Sequence, residues 1–424
     1  MNSEYSNCLR ELKPTFDHEQ LNFECEQNKY SDLNPGGYVN LGSAQNFAAT
    51  AELAERLDSL RWSSEDARHH NFAGTKNCLE AIADHLQVFS DRQIQASNIV
   101  VGNGIASLLE ALIFATTQPG DAVITTTPID PSFVNAMRLR TQIKLIAIET
   151  QPETQFHMTP AVLNEKLQEM SSQQKNVKAV VICSPGNPIG HVYTPVEIIE
   201  FVKLAERFNL WLIVDEICAL SCFENVDFFS SLKICSDKVL TVGGLSKDFS
   251  DSGYSAAWLH TSTSQIIQSL HLQAQLFQSP VQMQRAIESF LEPQWHTRFL
   301  AHNRTRLTKQ YGQTIEAFYE IGAKLTPIQA GLSAWLDLRA FLKSKNESGQ
   351  LELYRYLLHQ HRVHISPSSV FLHDKPGFFK INFNQESGTL QEGLKRIQQG
   401  MRHFRLSTTN HFRSLKNTNR QKVH

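Results

Sequence analysis

Six short apolar runs, NIVVGNG (98–104), DAVITTTP (121–128), IKLIAIE (143–149), VKAVVICSP (177–185), LWLIVDEI (210–217) and KVLTVGG (238–244), follow one another through the middle of the chain. Segments with helix-like spacing separate them, and this alternation predicts an α/β fold: a mainly parallel sheet with helices on both faces. VKAVVICSP and LWLIVDEI are apolar at nearly every position, as strands covered on both faces must be. In such sheets ligands gather outside the carboxyl ends of the strands, so the residues directly after each run are where chemistry is expected. After residue 290 the texture changes to longer helical stretches, RLTKQYGQTIEAFYEIG and ELYRYLLHQHR, with strand-like SAWLDL and FFKINFN between them.

This pattern divides the chain into an N-terminal arm and small-domain segment (1–50), a large domain (51–290), a smaller α+β domain (291–405) and a tail (406–424). The tail is polar, modestly basic and poor in apolar residues, a composition that predicts disorder.

Composition then narrows the partners. Forty Lys plus Arg stand against 42 Asp plus Glu, so no global field favours nucleic acid or a membrane surface. A small molecule is the expected partner. The start is polar without a signal-peptide core, and no run of about 18 apolar residues occurs, so a cytoplasmic protein is expected. The seven cysteines are an odd number without a CxxC pair, which predicts free thiols. The 17 histidines lack the spacing and carboxylate company of a metal site, so no metal is expected.

Four strand ends carry candidate chemistry. KVLTVGG runs into LSKDF, which sets Lys247 in a loop after a buried strand, where an amine becomes a usable nucleophile for an aldehyde. LWLIVDEI ends in Asp215, a buried acid that requires a cationic partner such as a protonated pyridine nitrogen. VKAVVIC opens into SPGNPIG, whose tight turn aims Asn187 at the same cleft. GNGIASLLEAL feeds a helix whose first amides, around Gly104, Ile105 and Ala106, suit a phosphate. Taken singly, a surface lysine, a helix-capping aspartate and an ordinary βα turn explain these residues as well; their company is what argues otherwise.

Together the pieces resemble the class I/II aminotransferases of pyridoxal-phosphate fold type I, most closely the 1-aminocyclopropane-1-carboxylate (ACC) synthase branch. NPGGYVNLGSAQN is similar to that branch's NPxGxIxLGxAEN, SPGNPIG to NPSNPLG, VDEICA to DEIYA and LSKDFSDSG to LSKDMGLPG. QFHMT is similar to NFQxT, and ISPSSVFLHDKPGFFKINFN to ISPGSSxxxxxPGWFRxCFA. The resemblance implies pyridoxal 5'-phosphate as cofactor and an amino acid bound through an external aldimine. It implies a Schiff base on Lys247, Asp215 against the pyridinium, Asn187 on the phenolic oxygen, and a homodimer whose subunits share their active sites.

The sequence departs from that family at cofactor and substrate contacts. Asp130 stands where an aromatic stacks on the ring, Cys218 where a tyrosine donates to the phenolic oxygen, Ser255 where an arginine clamps the phosphate, and Gly244 where a serine precedes the lysine motif. Lys380 replaces the arginine that takes the substrate carboxylate, keeping the charge and losing the fork. Gln45 replaces a glutamate, which places cyclopropane formation in question. The expected activity is an aminotransferase using an amino acid and a 2-oxo acid. An ACC-synthase-like lyase, or a degenerate relative that keeps the fold as a binding or regulatory protein, are the alternatives.

Overall fold

The computed structural model describes residues 7–43, 45–249, 253 and 255–420, with the side chains of the terminal helices described from 17 and up to 404. In chain order the strands are β1 (Val39–Asn40), β2 (Ile99–Asn103), β3 (Ala122–Thr127), β4 (Lys144–Glu149), β5 (Val177–Cys183), β6 (Trp211–Asp215) and β7 (Val239–Gly244). Then follow β8 (Ala256–His260), β9 (Lys324–Leu325), β10 (Ser333–Asp337), β11 (Val363–His364), β12 (Ser366–Pro367) and β13 (Phe378–Asn382). All six apolar runs form strands of one seven-stranded sheet in the order β2-β8-β7-β6-β5-β3-β4. Pairings from β4 to β7 are parallel, and β8 alone runs against its two neighbours.

The continuous apolar character of β5 and β6 has the expected cause. In β5, Ala179 and Val181 face one core with Leu108, Leu112 and Leu240, while Val180 and Ile182 face a second core with Phe201 and Leu163. Each strand side chain is therefore buried whichever way it points. Helices Gly104–Thr116 and Ser264–Phe277 cover the first face, and Pro160–Ser172 and Pro195–Arg207 the second.

A further core gathers the four-stranded sheet β12-β13-β10-β9 and the two-stranded pair β1-β11 under helices Glu347–His361 and Ser387–Arg420. Val39 and Leu41, far away in sequence, are buried there with Val363 and Ile365. The tail expected to be disordered instead continues the last helix to Arg420, and only 421–424 lie outside the described residues. Among the elements that escaped the sequence pattern are strand β8, whose AAWLH run is short, and the N-terminal helix Asn7–Gln27. Six cysteines are described, and all are free thiols.

Candidate active site

A cleft of about 500 Å³ is lined by Asp130 beyond the carboxyl end of β3 and Lys247 beyond that of β7, together with Lys380 and Gln45. Lys247 reaches it because the chain turns sharply after β7: Leu245 N donates to Ala256 O at 3.1 Å and Phe249 N to Leu245 O at 2.8 Å. Asp215 ends β6 and is 2% exposed. Its Oδ1 accepts from Ile217 N at 3.0 Å, and the Cys183 thiol is a further donor to it. Burial pushes its carboxyl up to about 7, since these donors and the more distant Lys247 charge only partly offset the lost water. A protonated ring nitrogen is the partner such an acid lacks.

Asp130 is the residue whose place in the structure differs most from what the resemblance implies. It caps helix Pro131–Arg138, accepting from Ser132 N at 3.0 Å and Ser132 Oγ at 2.6 Å. Its other oxygen accepts from Asn187 Nδ2 at 2.9 Å. One hydrogen of the amide expected to serve a phenolic oxygen thus goes to Asp130, and Asn187 Oδ1 is buried with no partner among the described residues. Burial raises the Asp130 carboxyl, but Lys247 and Lys380 outweigh it and hold the group below its usual range. Asp130 is therefore an anion between two lysines.

Lys380 projects from β13, where it pairs with Trp335 and Ser366, and is 3% exposed. Its Nζ lies 5.4 Å from the Phe371 ring centroid. Burial pulls its ammonium down to about 8, with Asp130 opposing and Lys247 adding to the fall. Gln45 enters the cleft wall with its carbonyl held by Asn382 Nδ2 at 2.7 Å.

Cys218 is buried, and its thiol is pushed far up by burial, then by Asp248 and Asp215, with Lys247 acting the other way. It therefore belongs to the same electrostatic cluster. Gly104 has φ +82° at the head of helix Gly104–Thr116, and a Cβ there would stand 3.4 Å from Ser255 Cβ. Gly104 and Ser255 thus meet where a phosphate would find the helix amides. Ile105 and Ala106 are the next two residues of that helix. Gly244 has a packing reason of its own: a Cβ would meet Ala256 O at 2.8 Å, so the family serine has no room here.

Sequence reasoning missed the roof of the cleft. Helix Asn7–Gln27 lays His18, Glu19, Asn22 and Phe23 over it, and Ser366 Oγ holds His18 Nε2 at 3.3 Å. Burial and then Lys380 push His18 down to about 4, so it is neutral at pH 7. Burial, then Asp130, raises Glu19. Nothing local marks these residues, because only the helix's position over the cleft makes them part of it.

The residues fit pyridoxal phosphate. An amine lines the cleft, a buried acid stands at the next strand end, and a glycine-headed helix with Ser255 beside its first residue offers amides suited to a phosphate. Comparison with known proteins agrees. Residues 36–397 match the family model described as aminotransferase class I and II. The chain is 28% identical over 389 residues to 1-aminocyclopropane-1-carboxylate synthase-like protein 1 of Takifugu rubripes, covering 88% of this chain and 63% of that protein. It thus spans less than two thirds of the fish protein's length. It is 26% identical over 402 residues to 1-aminocyclopropane-1-carboxylate synthase 4 of Arabidopsis thaliana, covering 88% and 85% respectively. Among solved structures, an aspartate aminotransferase double mutant from Thermus thermophilus superposes with TM-score 0.79 at 20% identity over 94% of this chain and 100% of that one. An aromatic aminotransferase from Pyrococcus horikoshii OT3 gives 0.75 at 19% identity over 91% and 98%.

Proposed function

The chain belongs to the class I and II aminotransferases, and from that membership and the geometry of the cleft we propose that it transforms an amino acid with pyridoxal 5'-phosphate, Lys247 being the reactive amine. The observation that carries the reading is the convergence of Lys247, Asp130 and Lys380 on one cleft, with Asp215 buried at the neighbouring strand end. When bound, the cofactor supplies an electron sink for charge left at an amino acid's α carbon. Everything else falls to the chain. Asp215 holds the ring nitrogen protonated, and its own burial makes that pairing favourable. Lys247 offers an amine that carries a proton within reach of the substrate. Lys380 binds the substrate carboxylate as a point charge, and Asp130 fixes both lysines and the Asn187 amide. The amides of Gly104, Ile105 and Ala106 take the phosphate, and the N-terminal helix excludes water from above.

The reaction we assign is transamination, with a 2-oxo acid as second substrate. A second reading, an ACC-synthase-like lyase, is favoured by the names of the relatives in fish and plants. Gln45 in place of the glutamate speaks against it. The chain acts as a homodimer in this proposal. Supporting that, Phe114, Leu272 and Leu276 are 66%, 88% and 83% exposed on two helices packed against one another, Gly104–Thr116 and Ser264–Phe277.

One experiment separates the readings: the purified protein is saturated with cofactor, its visible absorption recorded, and a panel of amino acids added with and without 2-oxo acids. Turnover that requires the 2-oxo acid identifies a transaminase. Product formed from the amino acid alone identifies a lyase. Absence of any bound cofactor band removes the enzymatic proposal and leaves the binding or regulatory one.

A further inference from the structure

His157, His191 and Glu197 lie apart in sequence, yet one ligand atom from each comes within 4.8 Å of the others. Three separate elements deliver them. His157 lies in the loop before helix Pro160–Ser172, His191 closes the Asn187 loop, and Glu197 stands in the first turn of helix Pro195–Arg207. Both oxygens of Glu197 are held: Oε2 accepts from Thr194 N at 2.9 Å and Thr194 Oγ1 at 2.8 Å, completing a capping box, and Oε1 is hydrogen-bonded to His157 Nε2.

The two imidazoles crowd one another, with ring centroids 3.8 Å apart and planes 55° to each other. His191 Nε2 and His157 Nδ1 are both buried with no hydrogen-bond partner. Two buried ring nitrogens without partners among the described residues are costly as they stand, and a cation bound by these side chains removes that cost. Room exists beside them, because His157 and His191 line a cavity of about 30 Å³ together with Asn187, Cys183 and Tyr193.

We propose that His157, His191 and Glu197 form a site for a divalent transition-metal ion, with zinc the best match to two imidazoles and one carboxylate. Such a set leaves a fourth position for water. The neighbours are unsuited to fill it: burial holds the Tyr193 phenol protonated, and the Cys183 thiol is occupied by Asp215. His191 and Glu197 are in their binding forms at neutral pH. Burial, then His157, pushes His191 down to about 4. Burial raises Glu197, but the Thr194 amide and His157 outweigh it and hold the carboxyl below its usual range. The ion would tie the loop carrying Asn187 to a helix and to the segment after β4. It would be a positioning element for the cleft, separate from the amine chemistry.

The test uses the full chain with its cofactor, freed of metal by a chelator, desalted and titrated with zinc chloride against a chromophoric competitor. One zinc per chain is expected. His191→Ala and Glu197→Gln should each weaken it by about tenfold or more, as loss of a direct ligand costs at least as much as loss of a supporting residue. Cobalt substituted for zinc should give absorption typical of nitrogen and oxygen ligands, without a sulfur charge-transfer band. Failure of the wild-type chain to take up stoichiometric zinc overturns the proposal, whatever the variants do. So does unchanged affinity in folded His191→Ala, or a thiolate band that assigns the metal to cysteine. His191→Gln, closer in size and polarity, gives the same comparison where the alanine variant does not fold.

Discussion

At the scale of single residues, the cleft is governed by charge, with Asp130 between Lys247 and Lys380. Lys247→Ala should abolish covalent attachment of the cofactor and turnover together. Borohydride trapping followed by peptide mapping checks this, and label on a peptide other than the one containing LSKDF would refute the assignment. Lys380 titrates near 8, held down first by burial, so it is a cation below that pH and loses its charge above it. If it receives the substrate carboxylate, kcat/KM should fall as pH rises through about 8. Asp130→Asn removes a charge that favours the ammonium, so the fall should move to lower pH. Lys380→Ala should cost roughly 1.5 to 3 kcal/mol in kcat/KM, the range for a charged hydrogen bond, and leave cofactor binding intact. A flat profile above pH 7 in wild type would remove Lys380 from the substrate site.

At the scale of elements, a strand end and a helix start do what no single residue can. Gly104 adopts φ +82°, which opens helix Gly104–Thr116 tightly enough to bring its amides beside Ser255. In the proposed site the phosphate would rest on these helix amides, with Ser255 where the resemblance implies an arginine. Ser255→Arg should therefore tighten the cofactor about tenfold, since a charge-assisted contact contributes roughly 1.5 to 3 kcal/mol. Equilibrium titration of the cofactor measures it, and unchanged affinity would mean another cation already serves the phosphate. The same scale explains what the hydrophobic pattern missed. Strand β8 has only five residues, and its place between β2 and β7 is set by pairing with both. The N-terminal helix has little amphipathic contrast in sequence: Leu21 and Cys25 pack on the small-domain core, while its polar His18 and Glu19 line the cleft.

At the scale of the whole molecule, buried titratable groups of opposite sign set the pH range of stability. Burial pushes His18, His191, His260 and His373 down to about 4, and His85 to about 3. A depressed histidine contributes stability that is present above the unfolded value of about 6.5 and is lost as pH falls below it. Burial raises Asp215, Glu216 and Asp248 to about 7. A raised acid works the other way, contributing stability at low pH that is lost as pH rises through 7. Five histidines outweigh three acids, so the unfolding free energy of the cofactor-free protein should fall by on the order of 2 kcal/mol between pH 6 and pH 5, and its urea midpoint should fall with it. A midpoint that rises over that interval would show that the acids dominate.

The sequence by itself determined the sheet, because runs such as VKAVVICSP and LWLIVDEI can be buried on both sides only inside a layered α/β core. It also determined which strand ends carry Lys247 and Asp215, since those positions follow from the runs that precede them. It did not determine that Asn187 is bound to Asp130, that the N-terminal helix roofs the cleft, or that His157, His191 and Glu197 stand together. Those contacts include pairs 40 positions apart for His157 and Glu197, 57 for Asp130 and Asn187, and 348 for His18 and Ser366. Local propensity carries no trace of a partner that distant, and only the packing of whole elements brings such groups within bonding reach.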